Sequence, residues 1–169
     1  MDHLMLFATW LGEGIVQTGI CLALIMGGLI RGKIDLRRAG YAGLIAYAAS
    51  GIVAQLMKHI WDRPRPLLVL FDVRIVEKPL FMHSFPSGHT ATAFAAAFAY
   101  GAFLPKLRLL LIPLAIATAI SRVYLGVHFP TDVIMGAVIG SVTGILSARM
   151  VSTKSNEPAK PELSSSAAK

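Results

Sequence analysis

Apolar runs that approach the thickness of a bilayer recur along this chain, and short basic connections separate several of them. Residues 14–30, 39–57, 89–104, 109–127 and 132–148 are each predominantly apolar. A bilayer core takes about 20 helical residues, with a range of about 17–25. Five spanning helices are therefore expected. A sixth stretch, residues 3–11, is too short to span and reads as an interfacial or partly inserted helix, with Trp10 placed for the membrane–water boundary. Composition agrees. Hydrophobic residues make up 55% of the chain and mean hydropathy is +0.65. Charged residues make up 15%, against roughly 25% in an average soluble domain. Gly and Ala are frequent in the third and fifth runs, which suits close helix contact within a bundle.

At 169 residues, one domain is the default. Residues 1–150 are read as a membrane domain. Residues 151–169, rich in Ser, Ala, Pro and Lys, are read as a disordered tail. The single cysteine, Cys21, lies in an apolar run. It excludes a disulfide within the chain and argues for a packing residue. The N-terminus does not read as a cleaved signal peptide: Asp2 and His3 stand where one would carry basic residues, and Glu13 follows early.

The net charge of +7 would suit nucleic acid or an anionic membrane surface. The charges sit between apolar runs, however, and basic residues do not interleave with aromatics, so no nucleic-acid partner is expected. Topology accounts for them better. The connections RGKIDLRR and PKLR place Arg31, Lys33, Arg37, Arg38, Lys106 and Arg108 on one side, together with Arg149 and the tail. Short basic loops mark the cytoplasmic face. The C-terminus is thus expected in the cytoplasm, and the long 58–88 segment and the 122–132 region on the outer face. In the 58–88 segment the run LLVLF at 67–71 could form a hydrophobic lip.

That outer face gathers residues far apart in sequence: Lys58, Arg65, Ser87, Gly88, His89, Arg122, His128 and Asp132. Arg65 and Arg122 suit bidentate contacts to phosphate oxygens, and Lys58 adds a compact charge. For Lys58 and Arg122 the alternative is snorkelling to lipid headgroups. Ser87 is a plausible helix N-cap, and Gly88 lets the backbone approach an anion at a helix N-terminus. A cap alone would explain both without explaining His89. His128 and Asp132 are four apart, a spacing at which a carboxylate can fix an imidazole tautomer. The same pair occurs in structural and metal sites, but the surrounding cations would repel a metal. His3, His59 and His83 read as interfacial or solvated. No metal and no cofactor is expected.

Lys58-x6-Arg65-Pro66, Pro86-Ser87-Gly88-His89 and Ser121-Arg122-x5-His128-x3-Asp132 resemble the three signature motifs of the type 2 phosphatidic acid phosphatase superfamily. The resemblance covers roughly residues 14–149. It implies an all-α, integral-membrane helical bundle in a bacterial plasma membrane, acting on a lipid phosphate or diphosphate. Substrates that would fit include undecaprenyl diphosphate, phosphatidylglycerophosphate, phosphatidic acid and lipid A 1-phosphate. It also implies His128 as a nucleophile forming a phosphohistidine, Asp132 orienting it, and His89 as general acid. Lys58, Arg65, Ser87, Gly88 and Arg122 would hold the phosphoryl group. Many relatives carry six spanning helices, and residues 3–11 would stand in for the first. A lipid phosphotransferase would use the same site. A vanadium-dependent haloperoxidase shares the site type, but those relatives resemble soluble proteins. A non-enzymatic transporter or scaffold would not require the complete set.

Overall fold

The computed structural model describes residues 1–71, 73, 76 and 79–154. Among the described residues the chain is entirely helical: α1 (Asp2–Trp10), α2 (Gly14–Ile30), α3 (Ile34–Ile60), the short α4 (Pro66–Val69), α5 (Gly88–Phe103), α6 (Pro105–Tyr124) and α7 (Pro130–Lys154). By length and composition α3, α6 and α7 could each cross a membrane. The pair α1 and α2, bent by 53° at their break, would count as a fourth span if taken together. Helices occupy all five expected places, but α5, with 16 residues, falls short of full span length.

Several helix ends differ from expectation for local reasons. Most of RGKIDLRR is helical, because α3 already starts at Ile34 and only Arg31–Lys33 connect it to α2. PKLR is the first turn of α6. Pro105 stands at its N-terminus, where a fixed φ and a missing N–H do no harm. Pro113 therefore lies well inside α6. That helix ends at Tyr124, earlier than expected, in a closing turn that only glycine adopts easily. Gly126 has φ +69°. Its N–H reaches the Val123 carbonyl at 3.0 Å, and the Val127 N–H reaches the Arg122 carbonyl at 3.2 Å. This is the paired bonding of a glycine-terminated helix. At the other end of the chain α7 continues to Lys154, past the boundary expected at 148 and into the first residues assigned to the tail. The rest of that tail, residues 155–169, lies outside the described residues.

α5 is the hub: it packs on α3, α6 and α7, and touches α2. Its buried face is nearly all alanine. Ala95 and Ala99 meet Ala42 and Ala46 of α3, while Ala93 and Ala97 meet Ala115 of α6. Between helices in lipid there is no hydrophobic gain from burying large side chains, so small residues that permit close backbone contact dominate the interior. The tightest contact is with α7. A Cβ at Gly136, Gly140 or Gly144 would lie 2.6, 2.2 or 2.6 Å from the carbonyls of Ser87, Ala91 and Ala95, respectively. The large apolar residues Ile134, Val138, Val142 and Leu146 repeat at similar spacing on the exposed face of α7. Small residues inward and large ones outward is the arrangement a lipid solvent favours.

A polar chain threads this interior. The Tyr100 hydroxyl donates to Gln17 Oε1 at 3.1 Å and lies 3.0 Å from Cys21 Sγ. Cys21 is fully buried and free, as a packing residue would be.

Candidate active site

The C-terminal ends of α3 and α6 and the N-terminal ends of α5 and α7 lie at one end of the bundle, and all eight expected residues sit there. Arg65, Ser87, Arg122, His128 and Asp132 are buried; Lys58, Gly88 and His89 are partly exposed. Lys58 occupies the last turn of α3. It lies within electrostatic reach of Arg65, Arg122 and Asp132.

Backbone bonds between the segments around Arg65 and Ser84 bring Arg65 in. The Arg65 N–H bonds the Phe81 carbonyl at 2.8 Å, and the Ser84 N–H bonds the Arg63 carbonyl at 2.9 Å. The Arg65 guanidinium is then fixed by the Met82 carbonyl at 2.9 Å and the Val127 carbonyl at 3.0 Å. Arg122, in the last turn of α6, donates from Nη1 to Thr9 Oγ1 of α1.

Ser87 caps α5 as expected, accepting from the Thr90 N–H at 3.4 Å. Its own N–H bonds the Asp132 carbonyl at 3.0 Å, which joins the starts of α5 and α7. Around Gly88 there is room: only Lys58 Nζ, at 4.0 Å, comes within reach of where a Cβ would stand. A helix N-terminus with free space and an ammonium beside it is suited to an anion.

His128 and Asp132 come together, but not as a simple pair. His128 Nδ1 faces Asp132 Oδ2 at 3.5 Å, longer than a usual hydrogen bond. The carboxylate is committed to other donors. Oδ2 accepts from the Ser84 hydroxyl and from the Phe129 N–H at 2.9 Å; Oδ1 accepts from Arg63 Nη1 at 2.8 Å. The bond from Phe129 is the return half of a capping box, so Asp132 also starts α7. Arg63 in turn bonds Thr131 Oγ1 at 2.7 Å and lies over the Phe129 ring, 4.3 Å from its centroid. Burial pushes the His128 imidazole down to about 4; Asp132 opposes this, and Arg65 and Arg122 add to it. At neutral pH the ring is uncharged. With Nδ1 toward the carboxylate, Nε2 is the nitrogen left for chemistry.

His89, in the first turn of α5, places Nε2 3.3 Å from Glu13 Oε2. His59 and His83 are exposed, stack with ring centroids 6.0 Å apart, and His83 pairs with Asp62 at 3.0 Å. They stand apart from the buried cluster, as expected.

Four contributors are absent from the motif reading: Arg63, Ser84, Glu13 and Thr9. Arg63 carried a signal only as a charge two residues before Arg65. Glu13 and Thr9 had no comparable signal, because their partners are 76 and 113 residues away. In the long connection, Leu68, Val69, Leu70, Phe71, Leu80 and Phe81 are exposed, as a hydrophobic lip requires. The charges Asp72, Arg74, Glu77 and Lys78 counted on the outer face lie outside the described residues.

A helical bundle with a cationic cluster and a neutral buried histidine at one end defines a class of membrane proteins built to receive an anion. The chain matches the family model described as "PAP2 superfamily" over residues 40–156, and it belongs to that superfamily. It is 31% identical to the bacitracin transport permease protein BcrC of Bacillus licheniformis over 75% of this chain and 62% of that one. It is 30% identical to the undecaprenyl-diphosphatase of Sulfolobus acidocaldarius over 69% of this chain and 57% of that one. With the lipid A 1-phosphatase of Rhizobium etli it shares 34% identity over 59% and 44%. The chain thus spans roughly half to three-fifths of the length of these relatives. Among solved structures, the crystal structure of LpxE from Aquifex aeolicus superposes with a TM-score of 0.71 at 30% identity, covering 88% of this chain and 85% of that one. A phosphatidylglycerolphosphate phosphatase from Bacillus subtilis has a TM-score of 0.73 at 24% identity, covering 94% and 79%, and supports the fold.

Proposed function

We propose that this protein hydrolyses a lipid phosphate or diphosphate through a phosphohistidine on His128. The observation that carries the reading is a neutral, buried imidazole within electrostatic reach of Arg65 and Arg122, with a carboxylate opposite its Nδ1. In the first step His128 Nε2 attacks phosphorus and the bond to the leaving oxygen breaks. His89 gives that oxygen its proton. Water then attacks the phosphohistidine, its proton passes to His89, and His128 is released. Lys58, Arg65, Arg122, Ser87 and the Gly88 backbone stabilise the phosphoryl oxygens, where fixed donors act best in a partly dehydrated site. Asp132 orients His128. Hydrogen bonds of this kind are often long before substrate binds and tighten afterwards.

An apolar cleft of about 170 Å³ supports a lipid substrate. It runs between α2, α5 and α6, lined by Leu11, Ile20, Leu24, Leu107 and Leu111, and reaches Ala93, one turn beyond His89. Relatives named for undecaprenyl diphosphate and lipid A 1-phosphate point the same way. The 67–82 segment would help select the headgroup. In this reading α1–α2, α3, α5, α6 and α7 make five passes, with residues 1–150 as the catalytic domain and the remainder a cytoplasmic tail. The site then opens to the outer face of a bacterial plasma membrane. No metal takes part.

The test is purified protein in detergent against a panel of lipid phosphates and diphosphates. Free inorganic phosphate is the expected product, where a transferase would release none. His128→Ala should lose at least about 10³-fold in kcat, together with acid-labile phosphate on the protein. Full activity in that variant overturns the nucleophile. Loss of activity in chelator with recovery in Mg²⁺ overturns the metal-free reading. A cysteine placed in the 67–82 segment should react with an impermeant thiol reagent in intact cells; reaction only after permeabilisation reverses the orientation.

A further inference from the structure

We infer that Glu13 is the positioning residue for His89, so that the N-terminal segment completes the active site. This rests on the reading of His89 as the proton donor. Three observations converge on it. Glu13 Oε2 lies 3.3 Å from His89 Nε2, across 76 residues of sequence. Glu13 stands at the N-cap of α2, yet its side chain makes no cap bond to that helix and is turned instead toward α5. The bend that delivers it is shaped to fit. A Cβ on Gly12 would lie 2.7 Å from the His89 carbonyl and 2.8 Å from Thr118 Cγ2, so only glycine lets the chain pass this close.

The bend is also held from within the bundle. Gln17 donates from Nε2 to the Leu11 carbonyl at 2.6 Å, while its Oε1 accepts from Tyr100. Thr118 donates to the Ala8 carbonyl at 2.9 Å, and Tyr124 to Asp2 at 2.9 Å. An acidic residue in a broken apolar segment near membrane depth is costly and calls for a partner. Here the partner is an imidazole at the phosphate site.

The role follows from the geometry. With Nε2 donating to Glu13, Nδ1 is the nitrogen that would meet the leaving oxygen. As the new P–N bond to His128 forms and the P–O bond breaks, the proton moves from His89 Nδ1 to that oxygen. In the second half His89 takes a proton back from the attacking water. Glu13 orients the ring and balances the imidazolium charge.

The test uses leaving groups of different basicity, with the full chain in detergent. A long-chain alkyl phosphate leaves as a basic alkoxide and needs the proton; an aryl phosphate leaves as a stable phenolate and needs it far less. His89→Asn should slow the alkyl ester by about 10²-fold or more and the aryl ester much less. Glu13→Gln should follow the same pattern, losing about tenfold in kcat on the alkyl ester with little change in KM. The double variant should be within about twofold of His89→Asn alone, since the two act as one unit. Equal slowing of both esters by Glu13→Gln, or additivity with His89→Asn, overturns the inference while leaving His89 as the acid. If His89→Asn shows no leaving-group dependence, the proton-donor reading fails and this inference falls with it. Should Glu13→Gln weaken the fold itself, Glu13→Ala decides. Recovery of its alkyl-ester activity in added formate supports the inference; no recovery overturns it.

Discussion

Two histidine–carboxylate pairs stand at the same end of the bundle at nearly the same separation, yet their surroundings differ. His128 and Asp132 are 3.5 Å apart with side chains 2% and 0% exposed; His89 and Glu13 are 3.3 Å apart at 32% and 47%. The buried pair is local, four residues along one turn, and its carboxylate is claimed by Arg63, Ser84 and Phe129. The half-exposed pair joins distant segments. A carboxylate with several buried donors is part of the scaffold as well as the site. A partly solvated pair adds little to stability and is free to serve chemistry. The difference teaches which loss should unfold the protein and which should only slow it.

Asp132→Asn should show the largest effect, because it strikes both roles. An amide cannot accept well from all three donors and also face the His128 ring. The expected loss is about 10²–10⁴-fold in kcat, with destabilisation of about 2 kcal/mol or more from donors left unsatisfied, read as thermal unfolding in detergent. Glu13→Gln is the counterpart, expected to shift stability by less than about 0.5 kcal/mol. Equal destabilisation by the two would break the comparison.

The placement of one pair relative to the other depends on how closely α7 sits against α5. Gly140→Ala puts a Cβ 2.2 Å from the Ala91 carbonyl. Pushing the helices apart should cost about 1–3 kcal/mol and lower activity, because it moves His128 and Asp132 relative to Ser87 and His89. Gly51→Ala is the control. It meets nothing within 4 Å and should gain up to about 1 kcal/mol from helix propensity.

How much of this was legible beforehand differs in kind between the two pairs. The end of the bundle that carries the site followed from counting apolar runs, because alternating spans must bring Lys58, His89, Arg122 and His128 to one side. Ser87 as a cap and Asp132 beside His128 followed from local spacing. Arg63 was visible only as a charge, since nothing local says that an arginine beside a proline will reach a carboxylate 69 residues on. Glu13 was less accessible still. Its role depends on a bend at Gly12 and on which helix that bend touches, both decided by packing among α1, α5 and α6. Helix ends were missed for a simpler reason: hydropathy marks where a helix is apolar, whereas Pro105 and Gly126 mark where it starts and stops.

Arg63→Gln tests how far the buried pair is tuned from outside. Arg63 is 37% exposed, so its ion pair with Asp132 is partly screened. Losing it should lower kcat by about tenfold, the scale of one charge-assisted hydrogen bond, with KM little changed if it acts through Asp132 rather than on substrate. A rise in KM alone would make it a phosphate ligand instead.

A smaller effect than that of Arg63→Gln is expected in stability against pH, and it isolates burial. The unfolded chain protonates His128 near 6.5, whereas the folded chain does so only near about 4. Between these values the unfolded state binds the extra proton, so stability is lost as pH falls through that window and is fully present above it. From pH 7 to pH 6 this single group should remove about 0.7 kcal/mol. Thermal unfolding of the protein and of His128→Asn across pH 7.5 to 5.5 isolates the contribution as the difference between the two slopes. A parallel pair of curves would mean that the ring is not held neutral by its surroundings. His128 would then be solvated and charged below pH 6.5, like an ordinary surface histidine, and the contrast between a buried, proposed nucleophile and a half-exposed, proposed acid would lose its physical basis.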